Sequence, residues 1–134
     1  MKNITTHIPA HSVSEAWEEE AVPAEMHEYT MTIGLFDKDT EKQEISTEAA
    51  RRIISDVLIN SYDIFAYTML DAAGVYKMQS TGAIVREPSI RLEIATEEAI
   101  DDKIRAIVNT LKDAAHLNQE SIMVKHITAP IAFM

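Results

Sequence analysis

Apolar and polar positions alternate in the segment EYTMTIGLF, which begins at Glu28. The apolar positions are Tyr29, Met31, Ile33 and Leu35, and the residues between them are Thr or Gly. A period of two is typical of a half-buried β-strand, so this segment predicts the first strand. The polar stretch DKDTEKQE that follows predicts a loop.

The spacing then changes to three and four residues, which predicts amphipathic helices in two places. Ser46 or Thr47 is a suitable N-cap for the first helix, and Thr96 for the second, in which Glu97 and Glu98 would occupy the first turn. The apolar positions of the first helix are Ala50, Ile53, Ile54, Val57 and Leu58, and those of the second are Ile100, Ile104, Ile107, Val108 and Leu111. Each set forms one face that can pack on a sheet.

Between the predicted helices, residues 63–95 are rich in β-branched and aromatic side chains and contain a turn signal from Gln79 to Gly82. They predict a long antiparallel hairpin. After the second helix, Ile122, Val124 and His126 predict a fourth strand. The apolar tail contains Pro130, so we expect it to pack over the domain rather than extend the sheet.

The predicted element order is β-α-β-β-α-β. It indicates an α+β, ferredoxin-like sandwich with two helices on one face of a four-stranded antiparallel sheet, in the spatial order 4-1-3-2, and with an extended β2-β3 hairpin arm. We assign this domain to residues 27–134. Residues 1–26 lack a sustained period and form an acidic N-terminal arm, in which Ser12 or Ser14 could cap a short helix anchored by Trp17.

The hairpin contains Pro88, and a central strand tolerates proline poorly because the missing N–H removes a ladder hydrogen bond. Residues 82–95 are also longer than a typical strand. We therefore expect residues 89–95 to lie in the sheet and the hairpin before Pro88 to form a bent, projecting arm. Its exposed apolar residues favour a homo-oligomer assembled through this arm; they are Val75, Met78, Ile84 and Val85.

The uncovered face of the sheet is the first candidate ligand surface. If Ile90, Leu92 and Ile94 face the helices, the polar residues between and beside them share the open face: Thr30, Thr32, Arg91, Glu93, Ser121, Met123 and Lys125. Such a face can be solvated, can form a polar dimer interface, or can bind an anion. The arm adds a second possibility, in which Arg86, Lys77 and Tyr76, with Arg91, bind a phosphate or carboxylate at a subunit boundary. Arg86 can instead pair with a carboxylate such as Glu87 or one from another chain.

Composition excludes several function classes. The chain has 134 residues, a formal charge of −10 and no cysteine, so a disulfide framework, a thiolate metal site and a cysteine nucleophile are impossible. The acidic balance disfavours nucleic acid and anionic membranes as partners. No apolar run reaches the length of a membrane span, and the first residues lack the apolar segment of a signal peptide, so we expect a cytoplasmic protein.

Catalytic signatures are scarce in the sequence. There is no glycine-rich phosphate loop and no helical zinc motif, and Pro9 between His7 and His11 makes a metal site there doubtful. We therefore expect no metal and no cofactor. An enzyme acting on the sheet face would need an acid or base, for which Glu93 and His126 are the candidates.

Two short segments, REPS at Arg86 and QES at Gln119, resemble a family of small bacterial proteins of unknown function with a ferredoxin-like α/β fold. The matching positions are Gly74, Tyr76, Gly82, Arg86, Glu87, Pro88, Ser89, Gln119, Glu120 and Ser121. The resemblance spans roughly residues 29–125. It implies the fold and brings no known activity.

Taken together, the sequence predicts a non-catalytic, homo-oligomeric binding domain that captures a small anionic or nucleotide-like ligand, with a regulatory or sequestering, sponge-like role. The predicted ligand contacts are Arg86, Arg91, Lys77, Tyr76, Thr30, Thr32 and Lys125. The alternative is an acidic interaction module or inhibitor, in which residues 15–28 engage a basic protein surface.

Overall fold

The computed structural model describes residues 24–134 and contains one four-stranded antiparallel sheet with two helices on one face. The elements are β1 (Ala24–Gly34), α1 (Thr47–Asp56), β2 (Thr68–Lys77), β3 (Ile84–Thr96), α2 (Asp101–Lys112) and β4 (Met123–Ile131). A π-helical turn, Val57–Ser61, continues α1. The strand order is β2-β3-β1-β4, which is the predicted order read from the other end, so the ferredoxin-like fold is confirmed.

The core lies between the sheet and the helices. The alternation in β1 and β3 sends one side chain in two toward α1 and α2, and those residues are almost fully buried. The central members of the core are Tyr29, Met31, Ile33, Ile54, Leu58, Ile90, Leu92, Ile94, Ile107 and Leu111. Burial of these large side chains is the main stabilising term of the domain, at about 1.5 to 3 kcal/mol for each.

The two helices begin differently. Ser46 caps α1 as predicted, because its Oγ accepts a hydrogen bond from the Ala49 N–H at 3.0 Å. Thr96 does not cap α2: it is the last residue of β3, and its hydroxyl donates to the Glu98 carbonyl at 2.5 Å. The second helix begins at Asp101 instead, so its first turn carries Asp101 and Asp102.

Pro88 lies inside β3, opposite Ala73 of β2, and the predicted strand boundary at Pro88 is wrong. The last β1–β3 pair joins Gly34 to Ser89, and the Leu35 N–H then donates to the Pro88 carbonyl at 3.0 Å. In a strand the nitrogen and carbonyl of one residue point to the same side. The missing N–H of Pro88 therefore faces the end of β1 and not β2, so the β2–β3 ladder continues through it.

The hairpin does extend past the end of β1, as expected. From Gly74 and Glu87 onward β3 is paired with β2 alone, up to the pair Lys77–Ile84. The turn closes where the sequence indicates, with a hydrogen bond of 2.8 Å from the Gly82 N–H to the Met78 carbonyl and a positive φ of 73° at Gly82. We call residues 74–87 the hairpin arm.

The ends of the sheet also differ from the prediction. The first strand starts at Ala24, ahead of His27, and β4 runs to Ile131 with Pro130 paired to Glu25. The tail thus extends the sheet, because β4 is an edge strand and an edge accommodates proline. None of the helices in residues 24–134 has the length and apolar character that crossing a membrane requires.

Candidate functional site

A groove of about 580 Å³ lies on the uncovered face of the sheet, where the hairpin arm passes the end of β1. Four segments form it: β1 with the loop after it, the arm, the part of β3 that follows the arm, and the segment before β4. Its lining residues are Thr32, Gly34, Phe36, Asp37, Lys38, Glu41, Gly74, Tyr76, Met78, Val85, Glu87, Ser89, Gln119, Glu120, Ser121 and Met123. We call this site the arm groove.

Glu87 lies at the centre of the arm groove. Because β3 is regular through Pro88, Glu87 shares the open face with Ser89 and Arg91. Its Oε2 accepts a hydrogen bond of 2.8 Å from the Phe36 N–H, at the point where the chain leaves β1. The carboxylate is half-buried and its position is fixed by the main chain.

Tyr76 stands on the arm beside this carboxylate. It pairs with Val85 in the hairpin, and 47% of the residue is exposed. Burial raises the pKa of the Tyr76 phenol, and the negative charges of Glu87 and Glu41 raise it further. The phenol therefore stays protonated at neutral pH, and its ring presents an aromatic surface to the groove.

The loop after β1 brings further carboxylates to the groove and is held by the segment that precedes β4. Asn118 donates through Nδ2 to Asp37 Oδ2 at 2.8 Å and to Asp39 Oδ2 at 2.9 Å. These contacts matter electrostatically: the Asn118 hydrogen bond, followed by that from the Asp39 N–H, lowers the pKa of Asp37 below its ordinary value. Asp37 is thus ionised at neutral pH.

The charge of the arm groove is negative. Its lining includes the carboxyl groups of four residues, Asp37, Glu41, Glu87 and Glu120, and among those lining residues one cation, Lys38. A concave surface with this balance attracts cations and repels phosphates. It differs in sign from the anion site that the sequence analysis expects.

The structure divides the seven predicted ligand residues between the two faces of the sheet. Cross-strand pairs place Thr30, Thr32, Arg91, Lys125 and Tyr76 on the uncovered face. Of these, Thr32 and Tyr76 line the arm groove, whereas Arg91 lies 3.5 Å from Glu93 in an ion pair. That ion pair partly neutralises the charge of Arg91 on the uncovered face.

Arg86 and Lys77 lie on the opposite face of the arm. Arg86 pairs with Val75, Lys77 pairs with Ile84, and all four side chains share the side that faces away from the groove. Arg86 is exposed and forms no ion pair with any residue in the range 24–134, so the salt bridge to Glu87 that the sequence leaves open is not formed. The two neighbours, Arg86 and Glu87, therefore cannot serve one site within a single chain.

The other proposed acid or base, His126, belongs to a second polar cluster. It lies on the helix side of β4, opposite Tyr29, and the two rings stack with centroids 4.3 Å apart. His126 Nε2 is 2.9 Å from His27 Nδ1, and His126 Nδ1 is 3.5 Å from Asp101 Oδ1. We call these four residues the α2–β4 cluster. Tyr29, Asp101 and His126 border a cleft of about 350 Å³ on the side of the sheet away from the arm groove.

Metal binding has no support in the described part of the chain. No group of three or more His, Asp or Glu side chains in residues 24–134 has an arrangement that suits a metal ion. The pair His7 and His11, the helix expected around Trp17 and most of the acidic arm lie outside the described residues.

Sequence reasoning missed Glu87 as a groove residue, although two signals pointed to it. One is the simple alternation from Glu87 to Glu93, which holds once Pro88 is accepted inside the strand. The other is the resemblance to the REPS and QES family, which itself stays a prediction. Most of its positions, although distant in sequence, meet in the arm groove: Gly74, Tyr76, Glu87, Ser89, Gln119, Glu120 and Ser121.

Comparison with solved structures finds proteins that share the fold of this chain. A phage SAM lyase in complex with S-methyl-5'-thioadenosine matches with a TM-score of 0.56 and 18% identity over 81% of this chain and 90% of that chain. The apo form of a phage SAM lyase matches with a TM-score of 0.56 and 20% identity over 81% and 84%. GlnK of B. subtilis in complex with ATP matches with a TM-score of 0.50 and 9% identity over 77% and 82%. No family model and no curated sequence matches the chain.

These comparisons correct one expectation. The sequence, with its lack of catalytic signatures, predicts a domain that is not an enzyme, and this is contradicted by the two SAM lyase structures, since a lyase uses the same fold. The catalytic signatures sought in the sequence were nucleophiles, metal ligands and phosphate loops. A reaction that needs none of these leaves no such signature.

Proposed function

We propose that the protein is a small lyase that cleaves a sulfonium nucleoside of the S-adenosylmethionine type in the arm groove. The observation that carries the proposal is the acidic lining around Glu87 and Tyr76, on a fold shared with a SAM lyase. A sulfonium substrate carries positive charge on sulfur and on its ammonium group. Carboxylates and an aromatic face are the groups that bind such cations.

The chemistry requires little from the protein beyond binding and orientation. As the bond between Cγ and the sulfonium sulfur breaks, its electron pair stays on sulfur, which leaves as the neutral thioether S-methyl-5'-thioadenosine. The carboxylate of the same substrate closes on Cγ and forms a five-membered lactone. The positive charge that remains is that of the ammonium group, so charge and atoms balance without water, metal or cofactor. A fixed bound geometry is the main catalytic resource for such an intramolecular step.

Glu87 and Glu41 would hold the cationic end of the substrate, and Tyr76 would present its ring beside them. Because the thioether product has lost its charge, it loses this attraction and leaves. A lyase consumes its ligand, so this proposal replaces the regulatory or sequestering role that the sequence predicts for a non-catalytic domain.

The proposal is tested by incubating the full chain with S-adenosylmethionine and measuring S-methyl-5'-thioadenosine and the lactone by mass spectrometry. Wild-type protein should release both in equal amounts. Glu87→Gln keeps the size of the side chain and removes its charge, so kcat/KM should fall about 100-fold. Arg86→Ala is the matched control, because its side chain lies on the far face of the same strand, and its rate should stay within about twofold of wild type.

Two results would overturn the lyase proposal: no product above the uncatalysed rate, or equal rates for Glu87→Gln and wild type. Binding measurements with ATP and inorganic phosphate separate it from the anionic ligand predicted from Arg86, Lys77 and Arg91. Tight binding of phosphate that is lost in Arg86→Ala would favour the anion site predicted from the sequence.

We further propose a homo-oligomer, which the exposed apolar side chains support. On the arm, Val75 is 57% and Ile84 60% exposed, and on the uncovered face Leu70 is 48% and Met123 67% exposed. Burial in another subunit would stabilise the assembly by about 1.5 to 3 kcal/mol for each large side chain. Light scattering on Ile84→Asp and Leu70→Asp distinguishes the surfaces: the arm is the contact if only the first dissociates the oligomer, and a monomeric wild-type protein refutes the assembly.

A further inference from the structure

Gly34 ends β1 at the point where the Glu87 carboxylate crosses it. A Cβ atom at this position would lie 2.6 Å from Glu87 Cδ and 2.7 Å from Oε1, and closer still to Oε2. The φ of Gly34 is not in the left-handed region, so the backbone conformation does not require glycine there. What requires it is space, because any side chain would occupy the volume of the carboxylate.

The seat of the carboxylate is completed by the main chain of Phe36. The Phe36 N–H donates to Glu87 Oε2 at 2.8 Å, and the Phe36 carbonyl accepts from Gln119 Nε2 at 2.7 Å. Gln119 is buried and donates a second, longer hydrogen bond of 3.3 Å to the Leu117 carbonyl. Gln119 therefore holds the main chain of Phe36 on the side of the carbonyl, next to the peptide group that binds Glu87.

From this geometry we propose that Gly34 is a positioning residue. Because it has no side chain, it leaves the space in which the Glu87 carboxylate lies in the arm groove. The importance of that position for turnover rests on the proposed lyase function. The seat itself does not, since it is defined by the Glu87 and Phe36 contacts alone.

Gly34→Ala should displace the carboxylate and leave the Phe36 N–H without its acceptor. A displacement on the order of 1 Å is enough to lower turnover about 100-fold. Because an alanine can also disturb folding, the test is a cycle of Gly34→Ala, Glu87→Ala and the double variant. If Gly34 acts only through Glu87, the second substitution costs nothing further once Glu87 is absent. The double variant should then have the kcat, the KM and the free energy of unfolding of Glu87→Ala.

A readout independent of turnover is the Phe36 amide, followed by its NMR shift and hydrogen exchange. Its exchange should be slow in wild type and about equally fast in Gly34→Ala, Glu87→Ala and the double variant. Gly74→Ala is the control, since its Cβ would meet only the Glu87 carbonyl at 3.9 Å, an ordinary contact, and the Phe36 signal should not change.

The outcomes separate the two proposals. A slow, unshifted Phe36 amide in Gly34→Ala would overturn the positioning role, whether or not the protein cleaves a sulfonium. If the Phe36 amide exchanges fast in Gly34→Ala but wild-type protein has no lyase activity, the proposed reaction is refuted and the positioning role of Gly34 stands. Further loss of stability or turnover when Gly34→Ala is added to Glu87→Ala would also contradict the positioning role, because Gly34 would then act on another group.

Discussion

The protein has two polar clusters on opposite sides of its sheet, and they differ in how many hydrogen-bond partners their polar side chains have within the protein. In the α2–β4 cluster, the Tyr29 hydroxyl donates to Asp101 at 2.5 Å and accepts from the Ile100 N–H at 2.8 Å. In the arm groove, Glu87 and Tyr76 lie along an open concave surface, and the Glu87 carboxylate accepts one hydrogen bond from within residues 24–134, that of the Phe36 N–H.

This difference in hydrogen bonding indicates a different role for each cluster. Ile100 precedes α2 and has no side-chain cap of its own, so the Tyr29 hydroxyl satisfies an N–H that the helix start would otherwise leave open. That is a structural role. A carboxylate held by one N–H in a wide acidic groove retains capacity for a ligand, which is the condition for a functional role. The presence of histidine and aspartate in contact is thus a poor guide to catalysis here.

The largest effect that separates the clusters is expected from Tyr29→Phe. Removal of the hydroxyl leaves the Ile100 N–H and the Asp101 carboxylate without this partner, which should lower the free energy of unfolding by about 1 to 3 kcal/mol. Urea denaturation followed by circular dichroism measures it. The cleavage rate per folded molecule should be unchanged, and a large loss of rate in the folded variant would move catalysis to the α2–β4 cluster.

A matched control for that variant is Tyr67→Phe. The Tyr67 hydroxyl donates one hydrogen bond, to Ser55 Oγ at 2.8 Å, in a part-buried position. Its removal should cost less, about 0.5 to 1.5 kcal/mol.

Alkaline pH should weaken the same cluster. Burial raises the pKa of Tyr29 above 10, and its hydrogen bond to Asp101 raises it further, because an ionised phenol would face that carboxylate. A group whose pKa is raised on folding contributes stability that is present below its unfolded pKa and lost as the pH rises through the folded pKa. Unfolding free energy should therefore fall above pH 10.

Tyr29→Phe should show a smaller fall over this range. Tyr76, whose pKa is also raised, contributes in the same direction, so Tyr76→Phe is the comparison variant. An alkaline profile of Tyr29→Phe that is identical to wild type would show that the Tyr29 phenol does not carry the effect.

The sequence predicts the fold well because the signals are redundant. Each strand and helix has its own period, and the apolar positions of β1 and β3 are the residues that the structure buries. The start of α2 was misplaced for a local reason: Thr96 is a good cap by residue type, but β3 extends to it, and Tyr29 supplies a hydroxyl from 71 residues earlier in the chain. No local pattern contains a contact of that range.

The site is predicted less well because one assumption about Pro88 changed the register. With a break at Pro88, Arg86 is free to join Arg91 and Lys77 in an anion site. With an uninterrupted strand, alternation places Glu87 with Arg91 and sends Arg86 to the other face. That proline is tolerated because the last β1–β3 pair is Gly34 with Ser89, so β1 ends just before it would pair with Pro88. The length of β1 cannot be inferred from the sequence of β3 alone. The space at Gly34 for the Glu87 carboxylate likewise depends on where the end of β1 meets β3, which the sequence does not show.

A smaller effect on stability is expected from Glu87→Gln. The amide oxygen can still accept from the Phe36 N–H, and the substitution removes one of four carboxyl groups lining the groove, so the free energy of unfolding should change by less than about 1 kcal/mol. The same urea titration measures it. A loss as large as that of Tyr29→Phe would identify the carboxylate as structural and remove the contrast between the two clusters.

The smallest effect is expected from Asp101→Asn. The neutral side chain can still accept the Tyr29 hydrogen bond, so the change removes mainly one negative charge in the first turn of α2 and the exposed contact with His126 at 3.5 Å, which is an ion pair only when His126 is protonated. Such an exposed pair contributes about 0.2 to 1 kcal/mol, and it is screened by salt. In dilute buffer acidic enough to protonate His126, the cost of Asp101→Asn should therefore be of that size, and it should shrink in 1 M sodium chloride. A cost that is unaffected by salt and approaches that of Tyr29→Phe would mean that Asp101 acts through its hydrogen bond to Tyr29 and not through its charge.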